Sequence, residues 1–280
     1  MAEHRGISVR FWGVRGSIPA PGTEYLKYGG NTACVELRAA DKILIIDAGS
    51  GLKPLGNHLL AEMPLEAHLL ISHYHWDHIQ GLPFHAPLYV KGNRYHLYGE
   101  ARGRRSLRQI LAGQMRYPYF PVALDVFQAQ LRFHTIRAGD TISLGPVQVD
   151  TASLNHPQDA TAYRVNYAGK SVVYCSDNEH TAQMLPETAA LIQGTDLLIY
   201  DAAYTDDEYQ GKTGAGAKKG WGHSTWSEAI RVAKRLKVKR LVIFHHDTMH
   251  TDRVTDRLVK RARQDFPHLE AAREGATLTV

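Results

Sequence analysis

One run of six residues constrains this chain more than any other: His73-Tyr74-His75-Trp76-Asp77-His78. It follows directly on Leu69-Leu70-Ile71, an apolar stretch that reads as a buried strand. Strand side chains alternate with a period of two, so His73 and His75 share one side. The chain must then turn, and Asp77 and His78 face a second point from the other side. Four metal-capable groups so close together can hold two neighbouring ions. The competing reading, a solvated histidine-rich loop, is disfavoured by the strand-end position and the spacing. Histidine is also in excess, 16 residues against 7 Phe and 5 Met, and it is the commonest metal ligand.

The rest of the composition excludes more than it selects. With 280 residues, 44% hydrophobic and 22% charged, the chain can bury a sizeable core and is neither disordered, collagenous nor coiled coil. Length alone predicts about two domains or one large one. No linker rich in Pro, Ser or Gly divides it, so a single domain over residues 1–280 is expected. The net charge of +5 permits a polyanionic partner without demanding one. Two cysteines, Cys34 and Cys175, exclude a disulfide scaffold or a four-cysteine zinc site and read as buried free thiols. The start, Met1 to Gly6, has no apolar segment of a secretory signal. The apolar runs fall far short of the ~20 residues that span a bilayer. A soluble, cytoplasmic protein with no membrane partner is expected.

Strand-like runs recur at Ile7–Trp12, Ala33–Leu37, Lys42–Asp47, His68–Ser72, Arg94–Tyr98, Leu131–Ile136, Val147–Thr151, Ala162–Tyr167, Ser171–Ser176, Asp196–Tyr200 and Arg240–Phe244. Helical patterns lie at Arg104–Met115, Thr181–Gln193, Thr225–Leu236 and Asp252–Phe266, with a poorer one at Leu52–Glu62 interrupted by Pro54. Thr225-Trp226-Ser227-Glu228 reads as a capping box. Meander-like strands with interspersed helices predict an α/β protein with two sheets and helices outside them.

Two segments stand apart in composition. Lys91–Arg116 carries seven basic residues and one acid, Glu100, and leads into Tyr117-Pro118-Tyr119-Phe120-Pro121. The basic run reads either as a phosphate-contacting surface or as a solvated helix face with a dimer or lid element. The aromatic run could stack on a base, but packing in the core or at an interface is the preferred reading. Gly211–Gly222, with five glycines and three lysines, reads as a mobile loop. Its Gly211-Lys212-Thr213 imitates a phosphate loop, but Asp206 stands where the first glycine is required.

The hexad resembles the hallmark of the metallo-β-lactamase superfamily, and the resemblance runs from about residue 7 to residue 250. It implies an αββα sandwich with a two-metal site on its open edge, the remaining ligands coming from later strand ends. Asn155-His156-Pro157 supplies His156 as the matching histidine, and Tyr174-Cys175-Ser176-Asp177 supplies Asp177 as the bridging aspartate. Leu241-Val242-Ile243-Phe244-His245-His246-Asp247 supplies the last ligand, His245, with His246 as the alternative. The resemblance thus implies His73, His75 and His156 on one ion, Asp77, His78 and His245 on the other, and Asp177 between them. An all-N/O set suits Zn²⁺ and tolerates Mn²⁺. Some true β-lactamases carry a cysteine ligand where Asp177 stands, so a β-lactamase activity is disfavoured.

Two further segments resemble the RNase Z branch. Asp196–Tyr204 is similar to its strand-borne acidic segment, and Trp221-Gly222-His223-Ser224-Thr225 to its His-Ser-Thr segment. This implies that Asp201 pairs with His223 and that His223 donates a proton to the leaving oxygen. The bland alternatives are a strand-end turn residue for Asp201 and a surface histidine for His223. With Asp77, these are the expected catalytic residues. Phe11-Trp12-Gly13-Val14-Arg15-Gly16-Ser17-Ile18-Pro19 and Tyr28-Gly29-Gly30-Asn31-Thr32 resemble the small bacterial phosphodiesterases of this branch, including those that open cyclic nucleotides. Arg15 then contacts phosphate, or is a structural turn arginine. No long Gly/Pro-rich arm of the kind that clamps tRNA is found. The expectation is a two-metal phosphodiesterase for small substrates, foremost cyclic nucleotides, and a homodimer by resemblance. An RNA-cleaving RNase Z and a noncatalytic metal-binding or sensor domain are the alternatives.

Overall fold

The computed structural model describes residues 6–181 and 183–280, so the N-terminal segment Met1–Arg5 lies outside the described residues. Among the described residues, fourteen strands form two seven-stranded sheets. The first sheet contains β1 (Ser8–Gly13), β2 (Cys34–Ala39), β3 (Lys42–Ile46), β4 (Glu66–Leu70), β5 (Arg94–Glu100) and β6 (Gln130–Ile136). The second contains β7 (Thr141–Leu144), β8 (Val147–Leu154), β9 (Ala160–Tyr167), β10 (Lys170–Cys175), β11 (Leu197–Asp201), β12 (Arg240–Phe244) and β13 (Leu269–Ala271). The last strand, β14 (Thr277–Thr279), returns to the first sheet and pairs antiparallel with β1. The helices are α1 (Leu52–Leu59), α2 (Trp76–Ile79), α3 (Leu107–Gln114), α4 (Pro186–Ile192), α5 (Asp206–Tyr209), α6 (Trp226–Arg235) and α7 (Asp252–Asp265).

The layers follow from strand alternation. On β3, Leu44 and Ile46 enter the core between the sheets, while Ile45 faces α1 and α3. On β12, Val242 and Phe244 enter the same central core, while Leu241 and Ile243 pack under α4, α6 and α7. Strands covered on both faces need apolar residues at every position, which is why these runs are continuous rather than alternating. The result is the expected αββα sandwich.

Strand direction places the site. β3, β4 and β5 run parallel, as do β10, β11 and β12. β8 is antiparallel to β9 and β9 to β10, so β8 points the same way as β10. All of these carboxyl ends therefore open on one edge of the sandwich.

Several elements differ from the sequence reading. β4 ends at Leu70 rather than Ser72, so His73 and His75 lie on irregular chain beyond the strand. The short strands β7, β13 and β14 were not foreseen, because three or four residues carry too little periodicity. α4 starts at Pro186, not Thr181, because the residue before a proline is pushed out of the helical region while proline suits the first helical turn. Pro54 is accommodated for the same reason, in the first turn of α1. The box at Thr225 is only half formed: Thr225 Oγ1 accepts from the Glu228 N–H, but the Glu228 carboxylate binds Arg231. Complete boxes occur instead at Ser106–Gln109 and Thr205–Glu208.

Both cysteines are buried free thiols. Tyr117 and Tyr119 are 91% and 76% exposed, so their rings are not part of the core; within that run the ring of Phe120 packs on Phe84. The glycine-rich segment is tethered near its end, with Gly220 and Gly222 N–H donating to Glu179. No described helix is long and apolar enough to cross a membrane.

Candidate metal centre

The seven donor residues implied by the hexad resemblance converge at the open edge. Their ligating atoms fall into a group of His73, His75 and His156 and a group of Asp77, His78, Asp177 and His245. Asp177 lies between the groups. Its Oδ1 is 3.3 Å from both His78 Nε2 and His245 Nε2, and its Oδ2 is 3.6 Å from His73 Nε2 and 3.8 Å from His156 Nε2. Asp77 Oδ2 lies 3.1 Å from His245 Nε2 and 3.3 Å from His78 Nε2. His246 takes no part. It donates from Nε2 to the Ala272 carbonyl at 2.9 Å and sits edge-on to Tyr28.

Hydrogen bonds on the far side of the rings test whether cations fit. His156 Nδ1 donates to the Gly222 carbonyl at 2.9 Å, so its Nε2 is a bare lone pair. His75 Nε2 donates to Gln158 Oε1 at 3.3 Å, leaving Nδ1 bare. These two nitrogens face each other across 3.1 Å. His78 Nδ1 donates to Asp47 Oδ2 at 2.7 Å, aiming its Nε2 at Asp77 and Asp177. Buried His73 Nε2, His78 Nε2 and His245 Nδ1 have no hydrogen-bond partner among the described residues. A tetrahedral ion with bonds of about 2.0–2.1 Å separates its donors by about 3.3 Å. The 3.1–3.3 Å spacings around Asp77, His78, Asp177 and His245 fit such an ion.

The donor groups of the cluster polarise one another. Burial opposes the charge on His78, yet Asp177, Asp77 and Asp47 hold its pKa well above the ordinary value. Burial would push the Asp77 and Asp177 carboxyls up, but the surrounding histidines hold both well below the usual range. His73, buried beside three other imidazoles, is pushed down. Buried charge at this density must be paired or bind ions.

Sequence reasoning did not find Asp47. It is fully buried behind His78, accepting from Ser72 N–H, Ser72 Oγ and Tyr174 Oη, each at 2.7 Å. An acid directly after the apolar run Ile43–Ile46 was the available signal. Asp47, Asp177 and His245 share a further property: each follows a strand with a positive φ, 63°, 60° and 61°. Such a conformation is costly for residues other than glycine, and its concentration here is typical of a functional site.

The acid–histidine pair also forms. His223 Nδ1 donates to Asp201 Oδ2 at 3.0 Å, and the ring stacks on His245 with centroids 4.7 Å apart. Burial lowers the pKa of His223, but Asp201, with Asp177 and Asp77 behind it, raises it to about 9. Gly222 approaches His156 so closely that a Cβ there would lie 2.1 Å from Nδ1. Above the cluster opens a cleft of about 470 Å³, lined by Ser17, Tyr74, His75, Trp76, Asp77, Gln158, Asp177 and His223.

Arg15 is not at the cleft. It is fully buried, donating from Nε to the Gly29 carbonyl and from Nη1 to the carbonyls of Asp247 and His250 at 2.8–3.1 Å. It is the structural arginine that anchors the loop after β12, because the buried carbonyls of Gly29 and His250 need a donor that water cannot supply there.

Residues 43–246 match the family described as Beta-lactamase superfamily domain. Ribonuclease Z of Porphyromonas gingivalis is 26% identical over 296 aligned positions, covering 86% of this chain and 90% of the relative. Among solved structures, the metallo-beta-lactamase fold protein YhfI from Bacillus subtilis superposes with a TM-score of 0.74 at 20% identity, covering 98% of this chain and 99% of that one. Human tRNase Z, short form, superposes with a TM-score of 0.65 at 20% identity, covering 97% and 98%.

Proposed function

This chain belongs to the beta-lactamase superfamily as a metal-dependent hydrolase, and on that premise we propose that it is a two-metal phosphodiesterase acting on small phosphodiesters, foremost 3′,5′-cyclic nucleotides. The observation that carries this reading is the Asp201–His223 pair set beside two groups of metal-capable donors at one cleft. His73, His75 and His156 would hold one ion, Asp77, His78 and His245 the other, with Asp177 shared. The N/O donors suit Zn²⁺, and Mn²⁺ is compatible. When bound, the ions supply Lewis acidity to phosphoryl oxygens and lower the pKa of nearby water.

The protein's own groups do the rest. Asp201 fixes the His223 ring through Nδ1 and favours its protonated form, so a proton is available near neutral pH for a poor alkoxide leaving group. The Ser17 N–H donates to Asp77 Oδ2 at 2.7 Å and holds that carboxylate toward the cluster.

Cleft size supports a small substrate, since pockets of about 300–1,000 Å³ suit molecules of nucleotide size. The name of the Porphyromonas gingivalis relative, Ribonuclease Z, favours a second reading, an endonuclease trimming tRNA 3′ ends. The proposal further takes residues 1–280 as one cytoplasmic, homodimeric hydrolase domain.

The test is a substrate panel with purified protein and Zn²⁺ or Mn²⁺. It should hydrolyse bis-p-nitrophenyl phosphate and at least one 3′,5′-cyclic nucleotide. Inactivity toward every cyclic nucleotide removes that specificity, and an intact labelled pre-tRNA removes the endonuclease reading. Metal uptake with no ester hydrolysed would leave a noncatalytic metal-binding domain.

A further inference from the structure

The turn after His156 is strained and externally braced. Gln158 and Asp159 follow one another with φ of 67° and 66°, a left-handed conformation in which side chains clash with the backbone. The Asp159 N–H closes the turn on the His156 carbonyl at 3.1 Å. Gln158 reaches from this turn to His75 Nε2, the contact that leaves His75 Nδ1 facing His156 Nε2. Two adjacent residues in a disfavoured region need an outside hold.

That hold is Arg102, a member of the basic segment. Its Nη2 donates to the Asp159 carbonyl at 2.9 Å and its Nη1 to Glu100 Oε2 at 2.6 Å. The guanidinium lies over the Tyr74 ring, 5.6 Å from its centroid. The Tyr74 hydroxyl donates to the Glu100 carbonyl, and Glu100 Oε1 accepts from the Ala138 N–H. Residues 102 and 105 exchange two backbone hydrogen bonds of 3.0 Å, which fix the root of the side chain. A forked, planar donor can serve the carbonyl and the carboxylate together, as a lysine cannot.

We propose that Arg102 is a positioning residue for the His73–His75–His156 group, acting through the Gln158–Asp159 turn; this rests on the metal-binding reading of the site. It predicts a selective effect, because the turn carries His156 and holds His75 but, among the described residues, makes no hydrogen bond to His78 or His245.

The experiment measures Zn²⁺ affinity and stoichiometry by competition with a chromophoric chelator, with circular dichroism to check folding. Wild type should hold two ions. Arg102→Met should keep one ion at wild-type affinity and bind the other about 10–100-fold more weakly, the usual loss when an outer partner of a ligand is removed. Adding Asp159→Gly should recover much of the loss, since glycine takes the left-handed region without penalty. Gln158→Met should weaken the same single ion, and it decides the matter should Arg102→Met fail to fold. Two ions at unchanged affinity in a folded Arg102→Met, or in Gln158→Met, would overturn the proposal, as would equal weakening of both. A wild type that binds no ion would instead overturn the metal reading itself.

Discussion

Replacing Asp47 with asparagine isolates one atom's worth of design. Asp47 Oδ2 accepts three hydrogen bonds, from His78 Nδ1, Ser72 Oγ and Tyr174 Oη, and Oδ1 accepts one from Ser72 N–H, all at 2.7 Å. Asparagine keeps the shape but converts one oxygen into a donor. With nitrogen at the Oδ2 position the two hydroxyls can rotate away, but His78 cannot. It must move its proton to Nε2, the nitrogen aimed at Asp77 and Asp177. With nitrogen at the Oδ1 position the amide opposes the Ser72 N–H, and His78 loses the charge on its acceptor. The first arrangement turns the metal-facing nitrogen of His78 into a donor, and the second sets one fully buried donor against another, a penalty of about 1–3 kcal/mol in the metal-free protein. The ion held by Asp77, His78, Asp177 and His245 should bind about 10–100-fold more weakly, equivalent to about 1.4–2.7 kcal/mol. Thermal melts in chelator report the first effect and competitive Zn²⁺ titration the second. The variant should still hold the His73–His75–His156 ion, the mirror image of the Arg102→Met result. Wild-type Zn²⁺ affinity at both sites would refute the idea that Asp47 works by fixing the His78 proton.

Other changes probe other links. His223→Ala should retain two metals by elemental analysis yet lower kcat by about 10²–10⁴, with a smaller loss on p-nitrophenyl esters than on cyclic nucleotides; equal losses would deny the proton-donor role. Gly222→Ala drives a Cβ to 2.1 Å from His156 Nδ1 at a φ of 90°, so it should release metal as well as lower activity, and full Zn²⁺ retention would contradict the tightness of that contact. Arg15→Met should strand the buried carbonyls of Gly29 and His250 and lower stability by about 2 kcal/mol or more in denaturant unfolding. Acid should destabilise the fold through buried neutral histidines. Burial lowers the pKa of His85 to about 4, its Nδ1 donating to the Leu52 carbonyl and its Nε2 accepting from Tyr95. The unfolded chain binds that proton near pH 6.5 and the folded chain only near 4, so stability falls as pH drops through this window, by about 2–3 kcal/mol at pH 4.5. In His85→Gln the decline of the unfolding midpoint between pH 7 and 4.5 should be shallower, and an identical decline would exclude His85 as a source.

Much of this was legible along the chain because it is local. The hexad states its own spacing, a buried strand announces itself by unbroken apolar residues, and a polar group directly after such a strand lies at the sheet's edge. That logic reached His73, His75, Asp77 and His78 directly, and the family resemblance pointed to Asp177, Asp201 and His245 at later strand ends. It read β4 as longer than it is, because a helix begins at Trp76 and His75 caps it in extended conformation.

The tertiary structure decided what depends on segments far apart in sequence. That β3 lies beside β4 puts Asp47 behind His78, and the packing of one sheet on the other lets Tyr174 reach Asp47 across 127 positions. Of the two readings open for Arg15, the loop after β12 closing over it decides for the structural one, and the exposure of Tyr117 and Tyr119 takes their rings out of the core. Residue type and spacing along the chain state which atoms can bind or donate. Whether such an atom is buried, which proton it carries and what it opposes are set by neighbours that only folding brings within 3 Å.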